Sequence, residues 1–460
     1  MLYLLLGASK AESSGNLLHF FHGLFAEAGA ETMEHYLLGL YGIDTKDPDC
    51  VDAVLNTRFT DFALGDRQRA FEPLLGDGIF TQDGAAWKKS RDMLRPQFMQ
   101  TRTKSFPFIQ QEVEGLIETL SQVVRKDASI DLQPMFFQLT LDTTLAVLCG
   151  RSSINSMTTE HASGFTEAFE YAQSRLMLRS RLGPFYWLAN NRRFRESCEI
   201  VRSFAEQVVQ EALQKHAEYS TNDTSDRYIF LHDLIKTNQD PVVLRDQLIN
   251  ILLAGRDTTA CLLSWVFKFL ARHQDIQEEL RNASLDLESH RAGNLPTVGE
   301  IKSMKLLENV LHESLRLYPS VPINIREAVK DTELPRGGGL NNQSPIFIRK
   351  GQAVGYSLYS MHRLERFWGA DNETFRPSRW EEASIKDCRK AYAPFNAGPR
   401  LCPGQEFALL EAGYTVVRIL QTFDYMKELE NEPKEFKHSI TLVVAPQNGC
   451  KVRLGTGKSF

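Results

Sequence analysis

From Pro241 to about His273 the chain runs without a second proline, well beyond the three or four turns of an ordinary globular helix. Asp240 is placed to cap this segment, and Pro241 suits the first helical position. Its centre (Leu248, Ile249, Ile251, Leu252, Leu253, Ala254) is apolar on every side. A helix of that kind has no solvent face, so other elements must enclose it. A second helical pattern covers Lys305–Leu317 and stops at Tyr318-Pro319, because the residue before a proline avoids helical geometry. A third runs roughly from Gly404 to Gln421. Strand-like segments are few and short. Gly337-Gly-Gly339 to Ser344 reads as a hairpin turn, with Ile346–Ile348 as the return strand. The polar stretch Ser220–Asp226 reads as a loop. The expected fold class is mainly α with minor β-sheets.

Inside the long helix lies Ala254-Gly255-Arg256-Asp257-Thr258-Thr259. An interior glycine costs a helix about 1 kcal/mol relative to alanine. Aspartate and threonine offer the backbone competing hydrogen bonds. Such residues conflict locally with a buried helix, and conflicts of this kind mark function. The use is a widened groove for a small ligand, with a hydroxyl and a carboxylate beside it to relay protons. Read alone, the segment is equally a helix kink with a surface aspartate.

Farther on comes Phe395-Asn-Ala-Gly398-Pro-Arg400-Leu-Cys402-Pro-Gly404. A lone cysteine before a helix is ordinarily a structural one. The spacing F-x-x-G-x-R-x-C-x-G, however, arises by chance in only about one chain of this length in ten thousand. It resembles the haem-ligand loop of the cytochrome P450 family. In that loop a cysteine thiolate binds haem iron and pushes electron density toward oxygen. The resemblance implies that Cys402 is the metal ligand and that Phe395, Gly398 and Gly404 shape the loop against the cofactor, heme b (iron protoporphyrin IX). The glycines would permit a tight turn and close approach to the ring. The N-terminus of the following helix would favour thiolate over thiol, and Arg400 would face a propionate.

The same family carries A-G-x-D-T on its long helix. Thr258 would therefore hydrogen-bond dioxygen and Asp257 would deliver protons for O–O scission. Trp87 and Arg91, one turn apart as W-x-x-x-R, match the family's propionate-facing pair; packing and a solvated face are their ordinary alternatives. Arg326, after Ser320-Val-Pro322, matches another propionate ligand. Glu313 and Arg316 form E-x-x-R on the Lys305–Leu317 helix. Arg379 lies in Phe375-Arg-Pro377-Ser-Arg379-Trp380. The resemblance joins these three as a buried structural triad beneath the cysteine loop. It covers about Asn16 to Arg453 and implies a large helical lobe and a small β-rich lobe around a buried haem. Residues 1–15 read as a short divergent segment without a full membrane anchor, and 16–460 as a single domain.

The net charge is −5 among 460 residues, and no basic run suggests nucleic-acid binding. Seven scattered cysteines (Cys50, Cys149, Cys198, Cys261, Cys388, Cys402, Cys450) argue against a disulfide framework or zinc site and for a reducing compartment. No apolar run has the length of a membrane span. Leu74–Phe80, Leu94–Phe98, Asn250–Thr259, Leu334–Gly339 and Pro394–Pro399 resemble the fungal branch that hydroxylates alkanes and fatty acids. That resemblance implies O2 as co-substrate, electrons from an NADPH-cytochrome P450 reductase, and a hydrophobic small-molecule substrate. It also implies placement on the cytoplasmic side, with or without association with the endoplasmic reticulum. Ile251, Ala254, Val321, Ile323 and Phe80 are candidates for an apolar pocket. Lys88, Lys89, Arg389 and Lys390 read as a reductase-docking patch or a solvated face. Gly183–Leu188 reads as a membrane-touching patch or a core loop. Pro403 replaces the larger aliphatic residue usual in that branch and suits a first helical turn. Tailoring of a secondary metabolite by the same chemistry is the nearest alternative. A haem-thiolate isomerase or dehydratase, or a haem sensor, is disfavoured by the complete Gly255–Thr258 segment, which neither needs.

Overall fold

The computed structural model describes residues 2–37, 40–124, 129–150, 164–218 and 229–455; Ser220–Asp226 lies outside them. The long helix forms over Pro241–Arg272 without interruption. Asp240 caps it, its Oδ1 accepting from the N–H groups of Val242 at 2.9 Å and Val243 at 3.4 Å. Helices Leu132–Cys149, Arg192–Glu218, Lys305–Leu317 and Gln405–Thr422 pack around it.

Two apolar cores share this axis. The C-terminal half contributes Leu262, Trp265, Val266 and Phe269 to a core with Val310, Leu311, Tyr414 and Val417. The Trp265 ring stacks on Tyr318 at 3.6 Å and Phe269 on Phe375 at 4.4 Å. The N-terminal half sets Leu248, Ile249 and Leu252 among Phe169, Phe204 and Phe230. Each such side chain, fully buried, contributes on the order of 1.5–3 kcal/mol. The apolar girth of the segment is thus satisfied on all sides.

A five-stranded sheet builds the small lobe, in the order Thr32–Leu37, Leu40–Thr45, Ala353–Ser357, Ile323–Ala328, Phe62–Ala63. It has its own core of Ile43, Leu55, Leu334, Val354 and Met361. In the Ile323–Ala328 strand, Asn324 opposes Tyr356 and Arg326 opposes Val354. Alternation puts Asn324 and Arg326 on one face and leaves Ile325 exposed on the other. The hairpin pairs Thr332–Gly338 with Ser344–Ile348, turning through left-handed Gly337, Gly339 and Asn342. The mainly helical class with minor sheets is as expected.

No helix among the described residues is long and apolar enough to cross a membrane. Gly183–Ala189 forms a 3-10 turn that leaves Phe185, Trp187 and Leu188 45%, 57% and 61% exposed, so the core-loop reading of that segment is excluded.

Candidate active site

Asp257 is buried, which excludes a surface aspartate. Burial, with Glu170 nearby, pushes its carboxyl up to about 7 against the pull of Arg256. Its Oδ1 accepts from Arg256 Nη1 at 3.3 Å and its Oδ2 from Gln173 Nε2. The Arg256 guanidinium lies over the rings of Phe137 and Phe169 and also pairs with Glu170, whose side chain is exposed. A chain of charged groups therefore runs from exposed Glu170 through Arg256 to Asp257. Glu170 and Gln173 escaped sequence reading, since they lie on Phe165–Arg181, remote in sequence and outside any motif.

Within the buried centre of the helix, Ala254, Gly255 and Thr258 remain partly accessible. They share one face, at spacings of one and four residues. Three carbonyls here take hydroxyl donors. Thr258 Oγ1 donates to Ala254 O at 2.7 Å, Thr140 Oγ1 to Arg256 O at 2.7 Å, and Ser320 Oγ to Thr258 O at 2.9 Å. Gly255 is held to its size by Thr144, whose Oγ1 would lie 2.6 Å from an added Cβ. The helix stays unbroken. The missing side chain and the competing hydroxyls are accommodated without a kink.

The Cys402 loop is closed by Cys402 N–H donating to Phe395 O at 3.0 Å. Asn396 and Gly398 take left-handed backbone, and asparagine tolerates that region better than most residues. A Cβ on Gly398 would meet Leu55 O at 2.0 Å, so this glycine makes its close approach to the protein's own backbone. Gly404 has φ −90° and ordinary room. The helix begins at Gln405, so Pro403 precedes its cap rather than opening its first turn. N–H groups of Gly404 and Gln405 and the Arg91 guanidinium do stabilise the sulfur's charge, but burial outweighs them and pushes the thiol up. The expected bias toward thiolate is not achieved by the helix terminus alone.

The triad forms as anticipated. Glu313, fully buried, accepts from Arg316 Nε at 2.9 Å, Arg316 Nη2 at 3.0 Å and Arg379 Nε at 2.8 Å. Trp380 Nε1 and Arg376 N–H add donors at 3.0 Å each. Arg316 O meets His362 Nδ1 at 3.2 Å, and His362 Nε2 accepts from Ala393 N–H at 3.0 Å. That relay ties the triad to the start of the cysteine loop.

Four of the expected cationic and aromatic residues gather beside Cys402. The Arg400 guanidinium lies 4.5 Å over the Trp87 ring and pairs with Asp83 at 2.7 Å. Arg91 Nη2 donates to Leu401 O at 2.6 Å. Arg326 is buried, donating to Asn324 Oδ1 at 3.1 Å and Ile325 O at 2.8 Å. Arg67 joins them, donating to the same Asn324 oxygen. Burial, then the charges of Arg326 and Arg400, pushes Arg67 down to about 9. Burial also lowers Arg400, to about 10, against the pull of Asp83. Among the described residues Asp83 is the carboxylate paired with this trio, which keeps a net positive charge. Arg67 carries no motif; its signal is visible only once the sheet sets it beside Asn324.

Excess positive charge near the cysteine loop, and a partly accessible patch on the buried helix, fit an anionic prosthetic group. The mainly helical two-lobed fold is that of haem-thiolate enzymes. The sequence matches the cytochrome P450 family model over residues 2–453, and the chain belongs to that family. A cytochrome P450 of Arthroderma benhamiae is 42% identical, over 99% of this chain and 89% of its own length. Cytochrome P450 52A12 of Debaryomyces hansenii is 42% identical over 98% of this chain and 89% of that one. Cytochrome P450 52A1 of Candida tropicalis is 40% identical over 96% and 84%. Membership makes the chain a monooxygenase and implies a haem-thiolate cofactor.

Proposed function

We propose that this monooxygenase hydroxylates C–H bonds of a long apolar chain, a fatty acid or alkane, with Cys402 as the iron ligand. When bound, iron protoporphyrin IX supplies the redox chemistry, taking electrons from an NADPH-dependent reductase and activating O2. The observation that carries the reading is the under-neutralised trio of Arg67, Arg326 and Arg400 beside Cys402. Its excess positive charge suits a group with two propionates, and Trp87 and Arg91 frame the same region. A cation at the Cys402 sulfur removes the remaining preference for thiol, since a coordinating thiol is deprotonated outright.

The other roles belong to the long helix. Thr258 lies at the accessible patch, its hydroxyl held by Ala254 O until it turns toward a ligand. Asp257 keeps a proton up to about pH 7 and passes it inward, while Arg256 and Glu170 connect it to solvent. A general acid is most effective when its pKa lies near the working pH. Ile251, Ala254, Val321 and Ile323 offer an apolar wall, and only hydrophobic contact and a fixed path length would then select the oxidised carbon. Phe80 is exposed and is the weakest member of that set. Lys88, Lys89, Arg389 and Lys390 are all exposed and form the proposed reductase face. Phe185, Trp187 and Leu188 would rest on a membrane surface.

The test is a spin-state titration of the holoprotein with fatty acids, n-alkanes and polycyclic metabolites side by side. A low-to-high-spin shift confined to linear chains supports the reading. A shift confined to polycyclic compounds replaces it with a tailoring role.

A further inference from the structure

The residues that wall the proposed pocket are fastened to the long helix by a closed set of hydrogen bonds. Ser320 is buried between the Lys305–Leu317 helix and the Ile323–Ala328 strand. Its Oγ donates to Thr258 O at 2.9 Å. Its carbonyl accepts from Val444 N–H at 3.1 Å, and Val444 O accepts from Trp265 Nε1 at 3.1 Å. Both ends of this circuit therefore lie on the long helix, at Thr258 and Trp265. Seven residues separate them, close to two turns, so they share a face. Val443 and Ala445 pack on Cys261 between those ends. Val321 and Ile323 follow Ser320 directly, and Pro322 O is anchored by Tyr359 N–H at 3.1 Å.

We infer that Ser320 is a positioning residue that couples filling of the substrate pocket to the setting of Thr258. The inference rests on the pocket assignment above. Thr258 already spends its hydroxyl on Ala254 O, so a slight shift of its own peptide decides whether that hydroxyl turns toward the accessible patch. Ser320 is the one side chain among the described residues that grips the Thr258 carbonyl from outside the helix. A ligand that presses on Val321 moves its chain neighbour Ser320, whose carbonyl is held by the Val444–Pro446 strand. Thr140, which grips Arg256 O from the opposite helix, keeps the preceding turn fixed, so the displacement is confined to Thr258.

The experiment uses the holoprotein with sodium dodecanoate as probe and compares wild type, Ser320→Ala and Ser320→Thr. Spin-state titration reads binding, and product and peroxide per NADPH read coupling. Loss of one net hydrogen bond predicts a fall of about 2- to 10-fold in the ratio of product to peroxide for Ser320→Ala. Dodecanoate affinity and the thiolate Soret band of the reduced CO complex stay near wild type, and Ser320→Thr restores coupling. Wild-type coupling in Ser320→Ala overturns the inference. So does parallel loss of affinity and coupling without rescue by threonine, which marks Ser320 as ordinary packing. If the wild-type protein itself shows no dodecanoate shift, the substrate reading fails first and the inference falls with it.

Discussion

Replacing Arg67 by methionine should move the bare protein and the haem complex in opposite directions. Arg67 lies half-buried with two like charges and no carboxylate of its own. Burial and those charges lower its guanidinium from its ordinary value to about 9; at ~1.4 kcal/mol per pH unit this is a strain of roughly 5 kcal/mol. Solvent on its open side reduces that to about 2–4 kcal/mol. Methionine removes the strain but forfeits bonds to Asn324 Oδ1 and Ile325 O, together about 1 kcal/mol. The haem-free variant should thus gain about 1–3 kcal/mol, read from its denaturant midpoint. In the holoprotein a charge-assisted bond to a propionate is worth about 1.5–3 kcal/mol, so haem affinity should fall about 10- to 150-fold. Transfer of haem to excess apomyoglobin measures that loss. Arg69→Met, an exposed neighbour on the same helix, should change neither quantity by more than ~0.5 kcal/mol. A haem-free variant that melts earlier and holds haem as tightly as wild type would refute the counting of unmatched charges.

Cys402→Ala should abolish the thiolate Soret signature of the reduced CO complex; an unchanged spectrum would remove Cys402 as ligand. Asp257→Asn should cut turnover by about 100-fold. In wild type, coupling should fall as pH rises through about 7, where Asp257 gives up its proton, and the variant should lose that step; an intact step would assign it to another group. Arg379→Ala should destabilise the fold by about 3–5 kcal/mol, because Glu313 keeps its charge and loses a counter-ion, and should lower haem retention; a stable holoprotein would take Arg379 out of the triad. Glu411→Gln addresses a second buried acid. Burial raises Glu411 to about 8, above its unfolded value near 4.5. The native state therefore holds the extra proton, and wild-type stability is lost as pH climbs from about 4.5 to 8. The variant should flatten that slope, by up to ~1.4 kcal/mol per unit; parallel melting curves from pH 5 to 8 would contradict it.

Local pattern made three helices legible almost to the residue, while Leu132–Cys149, Phe165–Arg181 and Arg192–Glu218 went unread. Lys305–Leu317 formed as read, because Met304 and Tyr318-Pro319 bound an amphipathic run. The cysteine loop was equally legible, since its glycines and arginine are adjacent in sequence. Their steric duties were less so: Gly398 avoids Leu55 O, a neighbour separated by most of the chain. Arg67, Asp83, Glu170 and Gln173 went unread for the same reason. Each acts on a partner brought near by the sheet or by helix packing, and no local periodicity encodes that proximity. The balance at Cys402 was also out of reach, because the helix terminus acts locally while burial depends on the whole fold.

Counting partners around each buried charge separates those that hold the fold from those that face a ligand. Glu313 collects five donors, and Arg363 is spent on Glu373, Tyr359 O and the Tyr359 ring. Nothing about either invites a further group, so both are structural. Arg67 and Arg400 lie near Asp83, and with Arg326 they keep a net positive charge. Asp257 is intermediate: Gln173 and Arg256 satisfy its oxygens without fixing its protonation state. That suits a proton carrier, whose pKa must lie near the working pH so that it both accepts and releases a proton. The same sequence therefore uses one device, burial of charge, at three levels of satisfaction. Those levels match the scaffold role of Glu313 and the roles proposed for Asp257 and for the arginine trio.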